Sequence, residues 1–152
     1  MKKLLCIVLT FCLFFVTAYA EEKEASYIFD TIEFDAASIS YNGHSVKIMG
    51  RQYYLVVSFI FQPIKKAVTY FAHEFKVEAY QNSVKCIDGY IPQYAQEPTS
   101  DVWSYEQPII RVVFEIDNPD DDVTIKVSSI GSNKDTDTYV YHLHLTYTGV
   151  RP

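Results

Sequence analysis

Residues 52–61, Gln-Tyr-Tyr-Leu-Val-Val-Ser-Phe-Ile-Phe, constrain the fold more than any other stretch of this chain. They hold no charge, no Gly and no Pro, and almost every side chain is β-branched or aromatic. Such side chains lose too much rotamer freedom in a helix and fit a pleated surface instead. With period two, Tyr53, Leu55, Val57, Phe59 and Phe61 share one face, and Tyr54, Val56, Ser58 and Ile60 share the other. The first face is a complete core stripe. At about 3.3 Å per residue the strand runs roughly 33 Å, enough to cross a domain, so a central position is expected.

The flanking chain supplies partners for it. Tyr27-Ile28-Phe29 and residues 32–34 read as short leading strands. Asn42-Gly43, between Ile39-Ser40-Tyr41 and residues 44–48, predicts a type I′ hairpin, because both central residues of that turn need positive φ. Met49-Gly50-Arg51 then turns the chain into the central strand. Residues 65–80 carry two periods. Val68, Phe71, Ala72 and Phe75 share a helical face, whereas Phe75, Val77 and Ala79 alternate. A loop or single helical turn to about Ala72, then a strand over 75–81, reconciles them. A turn at Gln81-Asn82-Ser83 leads to a short strand ending at Ile87.

Further strands follow at Ile110, Val112, Phe114 and Ile116, at Val123, Ile125 and Val127, and at Tyr139, Tyr141, Leu143, Leu145 and Tyr147. Seven to eight strands with turn signals between them predict an all-β antiparallel sandwich, a barrel being the alternative. Leu55, Val57, Phe59, Val77, Val112, Phe114, Val127 and Leu143 should form one contiguous core.

The first twenty residues stand apart. Met1-Lys2-Lys3, an apolar run over 4–16 and Ala18-Tyr19-Ala20 have the form of a secretory signal peptide. The run is short of the ~20 apolar residues a spanning helix needs. Lipid attachment at Cys12 is disfavoured by bulky Phe11 before it. The expected protein is therefore secreted, with residues 21–152 forming a single domain, and it meets the membrane only before cleavage. Losing Lys2 and Lys3 takes the formal net charge from −6 to −8. That charge repels a phosphate backbone and argues against nucleic acid. Cys6 and Cys12 leave with the leader, so Cys86 remains without an internal disulfide partner. It is a buried structural thiol, a link to another chain or a reactive thiol.

The order of four motifs adds a resemblance. They are residues 54–61, the run Phe75-Lys76-Val77-Glu78-Ala79-Tyr80-Gln81-Asn82, the strand over 109–116, and Asp121-Asp122-Val123-Thr124-Ile125-Lys126-Val127. Together they resemble a secreted immunoglobulin-like family of Gram-positive bacteria, related in fold to a mycobacterial secreted immunogenic antigen. The likeness spans about residues 39–145. It implies an immunoglobulin-like sandwich and a binding module without catalytic residues. The chain departs from the family at Ser83, where members usually carry Gly. It departs again at Tyr105-Glu106-Gln107-Pro108, where Pro-Gly is common, and in the lipid anchor that many members have.

Chemical motifs are sparse. His73-Glu74 lacks the second His of a zinc-protease helix, since residue 77 is Val. His142 and His144 share a strand face but need further ligands to hold zinc. The acidic turn over 117–122 offers carboxylates to calcium without EF-hand spacing, and a solvated turn is the other reading. No Gly-x-Ser-x-Gly elbow surrounds a serine. No cofactor and no metal site are therefore expected, and binding is favoured over catalysis. A small secreted enzyme or inhibitor, or a structural envelope component, are the alternatives.

Residues 88–107 are the expected recognition region. They show no period, carry Pro92 and Pro98, and are rich in Tyr90, Tyr94, Trp103 and Tyr105. Long aperiodic loops in compact domains are commonly functional, and these aromatics supply contact area at low entropy cost. An extracellular protein or a wall glycan would be the ligand. The competing reading of Trp103 is a cap on one end of the core. Tyr54, Val56 and Ile60, opposite the core stripe, suggest weak self-association or partner docking, unless residues 65–72 cover them.

Overall fold

The computed structural model describes residues 22–24, 31–130 and 138–149. The leader over 1–20, the strand expected at Tyr27-Ile28-Phe29 and the polar turn over 131–137 lie outside the described residues. Twelve strands are described: β1 Glu22–Glu24, β2 Thr31–Glu33, β3 Ala37–Met49, β4 Gln52–Pro63, β5 Val68–Thr69, β6 Phe75–Gln81, β7 Val84–Lys85, β8 Ile87–Asp88, β9 Val102–Trp103, β10 Ile109–Ile116, β11 Val123–Ser129 and β12 Thr138–Leu143. One helical turn, α1 (Phe71–Glu74), and a 3-10 turn at Glu97–Thr99 complete the set. Six strands have six residues or more, and the other six are two- or three-residue pieces at the edges.

Two five-stranded sheets form a sandwich. One runs β1-β12-β11-β6-β7 and the other β2-β3-β4-β10-β8, with β5-β9 as a separate ribbon. Pairing is antiparallel throughout except for β1 against β12. β4 is central in its sheet, as its unbroken apolar stripe requires. Leu55, Val57, Phe59 and Phe61 meet Ile125 and Val127 of β11 and Tyr141 and Leu143 of β12 in one buried core, with Val77 and Val112 packed against it. Phe59 stacks on Phe71 at 5.8 Å and meets Tyr141 edge-on at 6.2 Å.

The hairpin expected at Asn42-Gly43 is not there. β3 runs straight through it, and the register against β4 slips by one residue between Tyr41 and Gly43. The reason is parity. Ile39 and Tyr41 pair with Phe61 and Phe59, whereas Val46 and Ile48 pair with Leu55 and Tyr53. Odd residues face inward before the slip and even residues after it. A bulge absorbs the extra residue and leaves both halves paired to one long partner strand. Gly43, at φ +112, supplies the backbone freedom the bulge needs. The turn with two positive φ values is instead Asn82-Ser83 (φ 50 and 66), between β6 and β7.

Residues 65–74 give a two-residue strand and one helical turn, close to the expected compromise. Val56, with Tyr54 beside it, packs against Ile91 rather than against these residues. Phe71 of α1 turns into the core instead, within 5.6 Å of Phe61 and 5.4 Å of Phe75.

Candidate functional site

The chain crosses from one sheet to the other at Cys86, whose backbone N–H donates to Ala79 O (2.8 Å). After β8 it enters the aperiodic segment, which the structure divides into two parts with different jobs. Residues 89–98 fold over the outer face of the β4–β10 pair. Gly89 N–H donates to Val113 O (2.9 Å), and Ile91 lies on Val56 and Val113 with Tyr54 and Tyr94 alongside. Val56 is only 2% exposed. Within the patch assigned to self-association, Val56 is thus covered by the chain's own loop and is not available to a partner. Tyr54 and Ile60 are half-buried. Burying this second small cluster is what holds an otherwise aperiodic segment in place.

Glu97 pins the far end of the loop. Its two carboxylate oxygens accept the Arg111 backbone N–H (2.9 Å) and the guanidinium Nη1 (2.6 Å). The guanidinium also lies 5.0 Å from the Tyr94 ring centre, within cation–π range. Arg111 is on the outer face of β10, and the loop comes to it. Between loop and sandwich a cavity of about 270 Å³ remains, with Phe71, Ala72, Tyr94, Arg111 and Val112 in its walls and Tyr90 in its lining, 65% exposed.

Trp103 and Tyr105 belong elsewhere. β9 pairs with β5, placing Val68 opposite Trp103 and Thr69 opposite Val102. Thr69 and Val102 are buried, and Val68 and Trp103 face outward. Val102, not Trp103, caps the core. Trp103 is 48% exposed and Tyr105 78%, and their rings stack at 6.3 Å with planes 19° apart. The Trp103 backbone N–H donates to Glu106 Oε2 (2.9 Å), and the Glu106 backbone N–H donates back to Trp103 O (2.9 Å). An amide contact between Gln107 and Gln62 (2.7 Å) ties the segment to the end of β4. The four aromatics therefore form two sites, Tyr90 with Tyr94 and Trp103 with Tyr105.

The other candidates are engaged in local contacts. His144 Nδ1 lies 2.6 Å from Asp122 Oδ1, and His142 Nδ1 lies 3.3 Å from Thr124 Oγ1. His44 contacts the Tyr41 hydroxyl at 2.5 Å and the backbone of His144, which sequence alone gave no reason to place nearby. Burial lowers the His44 pKa, against the effect of that backbone contact. Among the described residues no group of three or more His, Cys, Asp or Glu side chains is arranged to hold a metal. The acidic turn is organised by Gln81. Its amide donates to Asn118 O (2.6 Å), and its carbonyl oxygen accepts the N–H groups of Asp117 (2.9 Å) and Asn118 (3.1 Å). Burial pushes the Cys86 thiol upward, with the Asp117 charge adding to it, which disfavours the reactive thiolate.

Three residues escaped the sequence reading. Glu74 is fully buried, Glu97 pins the loop, and Gly89 allows it to approach the sheet. Glu74 carried a usable signal, an acid at a core-facing position between Phe71 and Phe75. The other two carried none, since their roles depend on a loop path that has no period.

The fold and this loop define an all-β sandwich with an exposed aromatic ribbon at one end. Solved structures share the sandwich fold. An uncharacterised β-sandwich protein of Clostridium difficile has a TM-score of 0.63 at 14% identity, covering 84% of this chain and 97% of that one. A "putative lipoprotein" of Bacillus subtilis has a TM-score of 0.58 at 12% identity, over 78% of this chain. A Staphylococcus aureus chain of the same description has a TM-score of 0.57 at 13% identity, covering 76% of this chain and 90% of that one. This chain spans about two-fifths of the Bacillus protein, the match covering 39% of it. No protein-family model and no curated protein matches the chain.

Proposed function

We propose that this chain is a secreted or cell-surface binding module of the immunoglobulin-like kind, without catalysis, and that it contacts a wall glycan through Trp103 and Tyr105. The observation that carries the reading is the stacked, outward-facing pair on a ribbon whose inner face is buried. Leaving large aromatics in water costs free energy that a ligand covering them recovers. A pyranose ring suits such a surface, because its C–H face meets the negative face of the π system. The leader-like residues 1–20 and the lipoprotein description of two structural neighbours agree with an extracellular place of action.

The test is retention on purified cell wall. The protein should be retained by the glycan strands. Trp103→Ala and Tyr105→Ala should each weaken retention by about tenfold, a loss of ~1.4 kcal/mol that is common for an aromatic at the centre of an interface. Retention by protein-bearing but not by glycan-only wall would move the ligand class to protein. Equal retention of wild type and both variants would remove the platform from the proposal.

A further inference from the structure

The ribbon that carries Trp103 is too short to hold its own position. It has two residue pairs and one flanking main-chain bond, Ser104 N–H to Ala67 O (3.0 Å). Even a full isolated hairpin is marginal in water, so the pose of this ribbon is set by what its inner face touches. Val102 enters the core. The Thr69 hydroxyl donates to Glu74 Oε1 at 2.6 Å.

Glu74 is an unusual residue to find there, being 0% exposed. The same Oε1 takes Lys66 Nζ at 2.6 Å and lies 3.1 Å from His73 Nδ1. Its backbone is fixed from the other side, where the Ile130 N–H at the end of β11 donates to Glu74 O (2.8 Å). Oε2 is buried without a hydrogen-bond partner among the described residues. An apolar residue would pack this position without a half-satisfied charge, which costs stability. What the carboxylate supplies and an apolar residue would not is a set of directed bonds, and of these the one from Thr69 reaches the ribbon.

We propose that Glu74 is the positioning residue of the aromatic platform: through the Thr69 hydroxyl it fixes the β5–β9 ribbon, and with it the placement of Trp103 and Tyr105. Thr69 lies opposite Val102, and the next pair along the ladder is Val68 with Trp103, so movement at Thr69 reaches the indole across one residue step. The functional weight of this assignment rests on the platform being the ligand contact, but its readout needs no ligand.

Trp103 is the sole tryptophan, so its fluorescence reports on the ribbon alone. In the full chain, Thr69→Val keeps the side-chain shape and deletes the donor, and Thr69→Ser restores it. Thr69→Val should raise acrylamide quenching and lower the anisotropy of Trp103, with far-UV circular dichroism unchanged, and Thr69→Ser should recover wild-type values. Glu74→Met, which removes the acceptor, should behave like Thr69→Val where it folds. A folded Thr69→Val protein with unaltered Trp103 quenching and anisotropy would overturn the assignment. So would a Thr69→Ser protein as loose as Thr69→Val. Should Trp103 loosen as expected while wild-type protein ignores wall glycan, the positioning role stands and the platform reading falls. Glycan retention by a Thr69→Val protein with a rigid Trp103 gives the reverse.

Discussion

At Gly89 the space for a side chain is already taken. A Cβ there would lie 2.9 Å from Tyr54 Cδ1, 2.9 Å from Val113 Cγ1 and 3.2 Å from the Phe114 carbonyl carbon. Gly89→Ala should therefore destabilise the protein by about 1–3 kcal/mol, the usual cost of overpacking, with hydrogen exchange rising first over residues 89–98. Val56→Lys tests the same closure from beneath. An ammonium under Ile91 must either open the loop or stay buried unpaired. A lowered unfolding midpoint is expected, and an unchanged one would mean that the patch is open to solvent after all. Glu74 gives a prediction in pH. Burial favours its neutral form, but the bonds from Lys66, Thr69 and His73 outweigh that and hold its pKa below the ordinary carboxylate value. A depressed folded pKa means stability that is present above the unfolded value, near 4.5, and lost as pH falls through the folded one. Urea midpoints should thus fall more steeply on acidification in wild type than in Glu74→Gln. Parallel curves for the two would show that the carboxylate contributes nothing to folding.

Among the elements, the β6–β7 turn is the one whose residues fit it least well. Both central positions have positive φ, and the second is Ser83 at φ 66. Asn tolerates that region and Ser does not share the advantage; a left-handed L-residue costs roughly 1–2 kcal/mol. Ser83→Gly should stabilise the protein by up to about 1 kcal/mol, because the gain is partly offset by the greater freedom of glycine in the unfolded chain. A thermal melt decides it, and a lower midpoint would contradict the turn geometry. The same physics explains the one wrong turn in the sequence reading. Asn42-Gly43 has the ideal pair for a tight hairpin, yet an uninterrupted twelve-residue partner, β4, offers its ladder to both sides. Pairing along the whole of β4 satisfies more backbone groups than a local hairpin would, so the dipeptide becomes a bulge.

On the scale of the whole molecule, the two sheets are joined by a single layer of aromatic and branched side chains. Phe59 sits in its middle, fully buried against Phe71, Tyr41 and Tyr141. Phe59→Ala should cost about 3–5 kcal/mol, a large part of the stability of a domain this size. Denaturant unfolding measures it directly. A loss below 1 kcal/mol would place Phe59 outside the shared core. The loops around this core differ in what they need from it. The 89–98 segment brings its own apolar cover, whereas the ribbon depends on buried Thr69 and Val102 and leaves its aromatics outside.

The sequence alone determined the strands and their buried faces, because a strand's period of two shows directly which residues are buried, and the tertiary structure decided for a sandwich over a barrel. Residues 53–61, 75–79, 110–116 and 123–127 each carry that period, and each became a strand with the expected side inward. What lacked a period was decided by tertiary structure. Asn42-Gly43 predicts a hairpin by local preference, and pairing along its long partner made it a bulge instead. Val56 could be an interface or a covered surface until a loop 35 residues further on at Ile91 came to rest on it. Trp103 and its neighbour Val102 competed for one place in the core, and pairing with Val68 and Thr69 put the valine inside. In each case contacts between residues far apart in the chain decided the outcome.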